Sequence, residues 1–164
     1  MIHDITIPPL IRTLDALGVI LAKTEAHCTA KGIDPQALLG FRLFPDMFPF
    51  TRQVQLACDF AARIPPRLAG AELPSYPDTE TSFAELQARV GRVRTEVASY
   101  GPERFDGAAE RSIVIKMRSG ELTMTGLQFL MQYALPQLHF HATTAYAILR
   151  HNGVEIGKRD YMGT

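Results

Sequence analysis

Apolar residues recur every three or four positions in four long stretches of the chain, and this spacing predicts amphipathic helices. We expect helices over about residues 8–31, 47–68, 82–100 and from Thr125 to a stop at Gly153. The buried face of the first helix should be formed by Leu10, Leu14, Leu17, Leu21 and Cys28. The expected fold class is all-α, a four-helix bundle in a single domain spanning residues 1–164.

A different pattern precedes the last helix, where β-branched residues lie on both sides of Ser119-Gly120. This arrangement predicts a small β-hairpin inserted before the fourth helix. Thr125 with Gln128 forms a capping box that should open that helix. Pro136 lies inside the helix and should kink it, because the proline ring removes one backbone hydrogen bond.

The ends of the second and third helices carry their own signals. Asp46 is the expected N-cap of the second helix, and Pro65-Pro66 should kink or end it. Ser82 with Glu85 forms a capping box for the third helix.

Composition narrows the class of protein. The chain has 164 residues, of which 46% are hydrophobic and 21% charged, and its 17 basic residues equal its 17 acidic ones. These are globular values, and without a basic stripe we expect no nucleic-acid partner. No secretory signal pattern is present and no apolar run approaches 18 residues, so we expect a cytoplasmic protein that does not span a membrane. Cys28 and Cys58 are expected to be buried, reduced thiols, with a disulfide between them as the alternative.

Three polar residues fall on apolar helix faces, which is the main hint of a site. On the second helix, Gln53 lies inside the apolar arc, whereas the opposite, solvent-facing arc should hold Arg52, Gln55, Asp59 and Arg63. On the fourth helix, Gln137 and His141 lie within an arc whose apolar members are Leu127, Leu130, Ala134, Leu138, Ala145 and Ile148. Gln53, Gln137 and His141 could therefore converge inside the bundle.

Two interpretations of this trio are open. It could surround an ion or a reactive group, as inward-facing side chains of helical bundles do. It could equally be a buried hydrogen-bond network that satisfies itself. One imidazole and two amides would hold zinc poorly, because zinc sites use at least three nitrogen, sulfur or carboxylate ligands. Without a metal, His141 could act as a general base. Tyr146, on the flank of the fourth helix, is a further ligand-binding candidate.

Two strings carry a family resemblance, RLFPDMFPFTRQVQLACDFA and LPQLHFHATTAYAILRHNGVEIGKRDY. With them the chain resembles a bacterial domain-of-unknown-function family within the DinB/YfiT-like superfamily of metalloenzymes. The resemblance implies an up-down-down-up four-helix bundle that forms a homodimer. Relatives in that superfamily include thiol-dependent transferases and a mycothiol-dependent isomerase. Their site is a divalent metal, nickel or zinc, held by three histidines.

The resemblance places these ligands on individual positions of this chain. His141 matches the second histidine of the pair on the fourth helix, because Arg150 and Gly153-Val154 follow at the matching distances. The first histidine of that pair is Gln137 here, and Gln53 is the nearest inward polar position on the second helix. His141 is thus the metal ligand that the resemblance implies.

Two functions follow. The first is an enzyme that uses His141, helped by Gln137 and Gln53, in metal-assisted or thiol-dependent group transfer. A low-molecular-weight thiol would then be a ligand. The second is a non-catalytic dimeric module that binds a small molecule or a protein, in which the ancestral metal site is a buried polar network.

Overall fold

The computed structural model describes residues 2–164, which are 65% helical with one small two-stranded hairpin. Its elements, in chain order, are α1 (Ile2–Lys31), α2 (Pro35–Leu39), α3 (Phe50–Ala69), α4 (Phe83–Ala98), a 3₁₀ turn (Pro102–Phe105), β1 (Ser112–Met117), β2 (Gly120–Thr125), α5 (Gly126–Gln128), a π-helical segment (Phe129–Ala134), α6 (Leu135–His151) and α7 (Lys158–Met162).

One hydrophobic core lies between the four long helices. α1 packs mainly against α4, and α3 packs against both α6 and α4. The predicted face of α1 is confirmed, because all five of its residues are buried. Complete burial of a leucine side chain contributes about 1.5–3 kcal/mol, so this face alone is a large part of the driving force for folding.

α1 begins earlier than expected. It starts at Ile2, and Pro8 and Pro9 lie inside it rather than at its first turn. The missing amide donors of the two prolines are tolerated because other contacts stabilise the preceding turn. Ile2 is buried in the core, and the Thr6 hydroxyl donates to the Ile2 carbonyl at 2.7 Å.

The extra turn also changes the expectation about membranes. Within residues 2–164, α1 is the one helix that is long and apolar enough to cross a bilayer, with a mean hydropathy of 1.6 over its most apolar window. This is weak evidence for a membrane span, because a helix that packs in a protein core meets the same criterion.

α3 starts later and ends later than expected. Its N-cap is Pro49 instead of Asp46, because a proline forces the residue before it out of helical conformation. Pro65 and Pro66 do not end the helix, which continues to Ala69 and stops at Gly70 with φ of 69°. Both prolines are buried, so tertiary packing compensates for their poor helix propensity.

The helix α4 and the hairpin follow the predictions. Ser82 caps α4 by accepting from the Glu85 amide at 3.2 Å. β1 and β2 pair antiparallel around Ser119, with Met117 opposite Gly120. The hairpin is followed by a close approach, since a Cβ on Gly126 would lie 1.8 Å from the Ala108 carbonyl oxygen. Only glycine fits there.

The last long helix opens with the predicted capping box of Thr125 and Gln128. The helix accommodates Pro136 with a π-helical segment immediately before it. In this segment the Leu135 amide donates to the Leu130 carbonyl, five residues earlier. The wider π turn relieves the clash between a proline ring and the preceding turn. It also changes the rotation per residue, and Leu127, which the regular wheel placed inside, is 43% exposed.

Candidate functional site

Gln53 of α3 and His141 of α6 meet in the protein interior. His141 Nδ1 lies 2.8 Å from Gln53 Oε1, and the two residues are 7% and 1% exposed. Gln53 Nε2 donates to the Phe48 carbonyl at 3.2 Å. A carbonyl can only accept, so this bond fixes which end of the amide faces His141. His141 therefore carries its proton on Nδ1 and has a lone pair on Nε2.

The second ring nitrogen of His141 is open. In residues 2–164 the only sealed side-chain nitrogen or oxygen atom without a hydrogen-bond partner is Arg89 Nε. His141 Nε2 makes no hydrogen bond in that range, so it is not sealed and can be reached from solvent. Burial, and to a smaller extent the charge of Arg52, lower the pKa of His141 below its usual 6.5. The ring is thus neutral at pH 7.

Aromatic rings hold the imidazole in place. Phe60 stacks on it with a centroid distance of 5.7 Å and an interplanar angle of 16°. Phe140 meets it edge-on at 5.2 Å. Such contacts contribute about 0.5–1.5 kcal/mol beyond area burial, so the orientation of the ring is well defined.

A cavity of about 340 Å³ is separated from the pair by the Phe60 ring, which lines the cavity and stacks on His141. Its lining residues are Arg52, Leu56, Asp59, Phe60, Arg63, Ser75, Tyr76 and Asp78. Its volume lies at the lower end of the range of small-molecule sites.

Gln137 is not part of the Gln53–His141 pair. It is half-buried and lines a separate surface depression with Gln132, Tyr133, Pro136 and Phe140. Within the described residues it makes no hydrogen bond to Gln53 or His141. The Phe60 ring packs against both Tyr133 and His141, which lie one turn to either side of Gln137.

Tyr146 also lies apart from the pair. Its ring packs edge-on against Tyr161 of α7 at 5.9 Å. The assignment of Gln137 and Tyr146 as ligand-binding residues stays a prediction, without a contact to His141.

The residues around His141 do not fit a three-histidine metal centre. The pair offers one free imidazole nitrogen, and both ends of the Gln53 amide are already hydrogen-bonded. In the part of the chain that the structure describes, no group of three or more His, Cys, Asp or Glu side chains could hold a metal ion. Amide groups are weak ligands for zinc and nickel.

A buried ion cluster, which the sequence did not predict, lies at the cavity of about 340 Å³, whose wall includes Asp59 and Asp78. Arg89 of α4 is completely buried and contacts Asp59 at 2.6 Å, Asp78 at 3.1 Å and Glu80 at 3.1 Å. Gln55 donates to Glu80 at 2.9 Å. We call these five residues the Arg89 cluster.

The Arg89 cluster corrects the expectation that Gln55 and Asp59 face solvent. Both are buried, because the segment between α3 and α4 folds over this side of α3 and brings two carboxylates with it. The signal in the sequence was the acidic stretch PDTE opposite an arginine on the next helix.

The two cysteines are free and buried, as expected. Burial raises the pKa of the Cys58 thiol to about 12, and the nearby Arg89 charge only partly opposes this. Burial also raises the pKa of Cys28. Neither thiol is therefore an activated nucleophile.

The helical fold and its inserted hairpin are those expected of a DinB-like protein. Of the three histidines that the resemblance implies, the chain keeps one, His141. A crystal structure of a DinB family member protein from Shewanella denitrificans is 41% identical, with a TM-score of 0.92 over 100% of this chain and 93% of that one. The model of the family "Domain of unknown function (DUF1993)" matches residues 2–162, so the chain belongs to that family. No curated protein matches the sequence. The resemblance to a DinB-like family of unknown function is confirmed.

Proposed function

We propose that this DinB-like protein binds a small molecule without a metal, and that the Gln53–His141 pair replaces the three-histidine centre of its superfamily. In this proposal the four long helices form the up-down-down-up bundle of that superfamily. The observation that carries it is the pair of hydrogen bonds made by Gln53, one to His141 Nδ1 and one to the Phe48 carbonyl.

The hydrogen bonds of Gln53 stabilise the site as it stands. Each typically contributes about 0.5–1.5 kcal/mol, and leaving either partner unsatisfied in the interior would cost about 1–3 kcal/mol. A metal bound by Gln53 would have to break one of these bonds. A metal at His141 Nε2 alone would have a single protein ligand, which is too few for a stable site.

The neighbouring cavity supports the binding role. It is lined by polar groups along α3 and by the Phe60 ring, and Phe60 also contacts His141. A ligand that moves Phe60 would therefore change the surroundings of the imidazole. This coupling gives a spectroscopic signal for occupancy.

The experiment is metal analysis of protein purified without an affinity tag. We expect far less than one equivalent of nickel or zinc in the wild-type protein. The double variant Gln53→His/Gln137→His should acquire metal if the position is a former metal site, and Gln53→His/Gln132→His is the matched control. One equivalent of metal in the wild-type protein, lost in His141→Ala, would overturn the proposal.

A second candidate function is metal-free, thiol-dependent group transfer. It is favoured by the open lone pair on His141 Nε2 and by the lowered pKa, which keeps the ring neutral and able to accept a proton from a thiol. We expect the addition of glutathione to a model electrophile to be faster with wild-type protein than with His141→Ala. Equal rates for the two proteins would rule out this candidate.

We also propose that the protein is a cytoplasmic homodimer. Support for the dimer comes from apolar side chains that are largely exposed beside the pair, Phe48 at 52% and Phe140 at 56%. Clustered exposed aromatic residues are typical of interaction surfaces. Light scattering on wild-type protein and on Phe48→Ser/Phe140→Ser tests the dimer, since the variant should be monomeric.

A further inference from the structure

Three basic side chains line a smaller cavity further along α3. The cavity has a volume of about 170 Å³ and lies between α3, β1 and the π-helical segment. Arg63 and Arg67 come from α3, and Lys116 comes from β1. The other lining residues are Phe60, Ile64, Ile115, Phe129 and Tyr133. We call this cavity the basic pocket.

No aspartate or glutamate lines the basic pocket, so its positive charge is not balanced within it. Of its three basic residues, Arg63 also lines the cavity of about 340 Å³, together with Asp59 and Asp78. Within residues 2–164, none of its three basic side chains has a hydrogen bond or an ion pair. Arg63 and Arg67 are half-buried and stand four residues apart on one helix, where like charges destabilise each other.

The charges in the pocket influence each other. Burial lowers the pKa of Arg67, nearby Tyr133 opposes this, and the charge of Arg63 lowers it further. An anion between the two guanidinium groups would relieve their repulsion. Two arginines at this spacing can also present paired N–H donors to the oxygens of a carboxylate.

The rest of the pocket is aromatic and apolar. Tyr133 stacks on Phe129 with a centroid distance of 6.1 Å and lies 6.4 Å from Phe60. An apolar cavity of about 150 Å³ accommodates benzene, so a single ring or a short branched chain matches the space available. A pocket with three cations and three aromatic rings fits an anion that carries an apolar body.

We propose that the basic pocket binds a small organic acid, with its carboxylate at Arg63, Arg67 and Lys116 and its ring or short chain against Phe129 and Tyr133. The ligand class named here rests on the proposed binding function. The two proposals involve different residues, however, because metal analysis tests the site at His141 and calorimetry with organic acids tests Arg63 and Arg67.

The test is titration calorimetry of the tag-free protein with benzoate and phenylacetate, and with the neutral amides of the same shape. We expect the acids to bind at least about tenfold more tightly than the amides, since a charge-assisted hydrogen bond is worth that much. The affinity should fall as salt is raised. Bound acid should also shift the NMR signals of His141, through the shared Phe60 ring.

The matched variants are Arg63→Gln/Arg67→Gln and the control Arg118→Gln/Arg150→Gln, which removes the same charge from exposed positions outside the pocket. The first should weaken binding of the acids by about tenfold or more, and the control by less than about twofold. Arg67→Lys, which keeps the charge but loses the paired donors, should lie between them.

Several results would overturn the proposal. These are no binding of either acid at millimolar concentration, equal binding of acids and amides, an equal effect of the control variant, or inorganic phosphate competing as well as the acids do. If the double variant does not fold, the comparison of acids with amides on wild-type protein still decides. Binding of acids by a protein that also holds stoichiometric metal would refute the metal-free function and leave the basic pocket standing.

Discussion

Two groups of arginines border the same part of α3, and their surroundings differ in kind. Arg89 is fully buried and contacts three carboxylates. Arg63 and Arg67 are half-buried, and no carboxylate lines the basic pocket, although Arg63 also borders the cavity that contains Asp59 and Asp78. A compensated buried charge fixes structure, whereas an uncompensated one reduces stability unless something binds. The Arg89 cluster is therefore structural, and the basic pocket is where a ligand would add stability.

The Gln53–His141 pair is intermediate between these two cases. One ring nitrogen of His141 is bonded inside the protein, and the other is open. This half-satisfied arrangement orients the imidazole and leaves it available for a ligand.

The largest effect should come from Arg89→Leu. Loss of the guanidinium leaves Asp59 and Glu80 buried without a counter-charge, and removing one partner of a buried pair costs about 3–5 kcal/mol. Urea unfolding measures this free energy. Arg94→Leu is the control, since its pair with Asp15 is exposed and should be worth less than about 1 kcal/mol. Equal effects of the two variants would show that Arg89 stabilises the fold no more than an exposed arginine does.

A smaller loss is expected for Gln53→Leu. The substitution leaves His141 Nδ1–H and the Phe48 carbonyl unsatisfied, which costs about 1–3 kcal/mol in the free energy of unfolding. Gln137→Leu changes an amide that makes no hydrogen bond within the described residues and should stay within about 0.5 kcal/mol. Equal losses in the two variants would show that the amide of Gln53 has no special partner.

The pH dependence of stability should reveal the open imidazole. Because the pKa of His141 is lower in the folded state than its usual 6.5, the unfolded chain binds the proton more strongly. Stability is therefore complete above 6.5 and falls as the pH decreases through that value. Urea unfolding between about pH 8 and 5 should show this loss in wild-type protein and less of it in His141→Gln. A wild-type protein that gained stability on acidification relative to the variant would contradict the assignment.

The smallest effect, and one of opposite sign, should come from Arg63→Gln/Arg67→Gln without ligand. Removing two like charges four residues apart on a helix should leave the thermal midpoint unchanged or raise stability by about 0.2–0.5 kcal/mol. A loss of more than about 1 kcal/mol would show that these arginines hold the fold together.

The sequence predicted what local periodicity controls. The inner face of α1, the caps at Ser82 and Thr125 and the hairpin around Ser119 depend on neighbours in the chain. The contact between Gln53 and His141 could also be predicted, because each is a polar residue on an apolar helix face.

Features that depend on distant contacts were not predictable in this way. Asp59 is buried because a later segment and α4 fold over it, and Gln137 lines a surface depression apart from His141. The basic pocket needs Lys116 of the hairpin beside Arg63 and Arg67, more than 40 residues earlier in the chain. Periodicity within one helix carries no information about such neighbours.

The π-helical segment separates the two halves of the last long helix. A π turn holds one residue more than an α turn of the same height. Deleting a single residue from 129–134 would therefore restore regular winding and turn Phe129 away from the pocket wall, while His141 kept its place on α6. Insertions and deletions at this point can thus redesign the pocket during evolution without disturbing the imidazole.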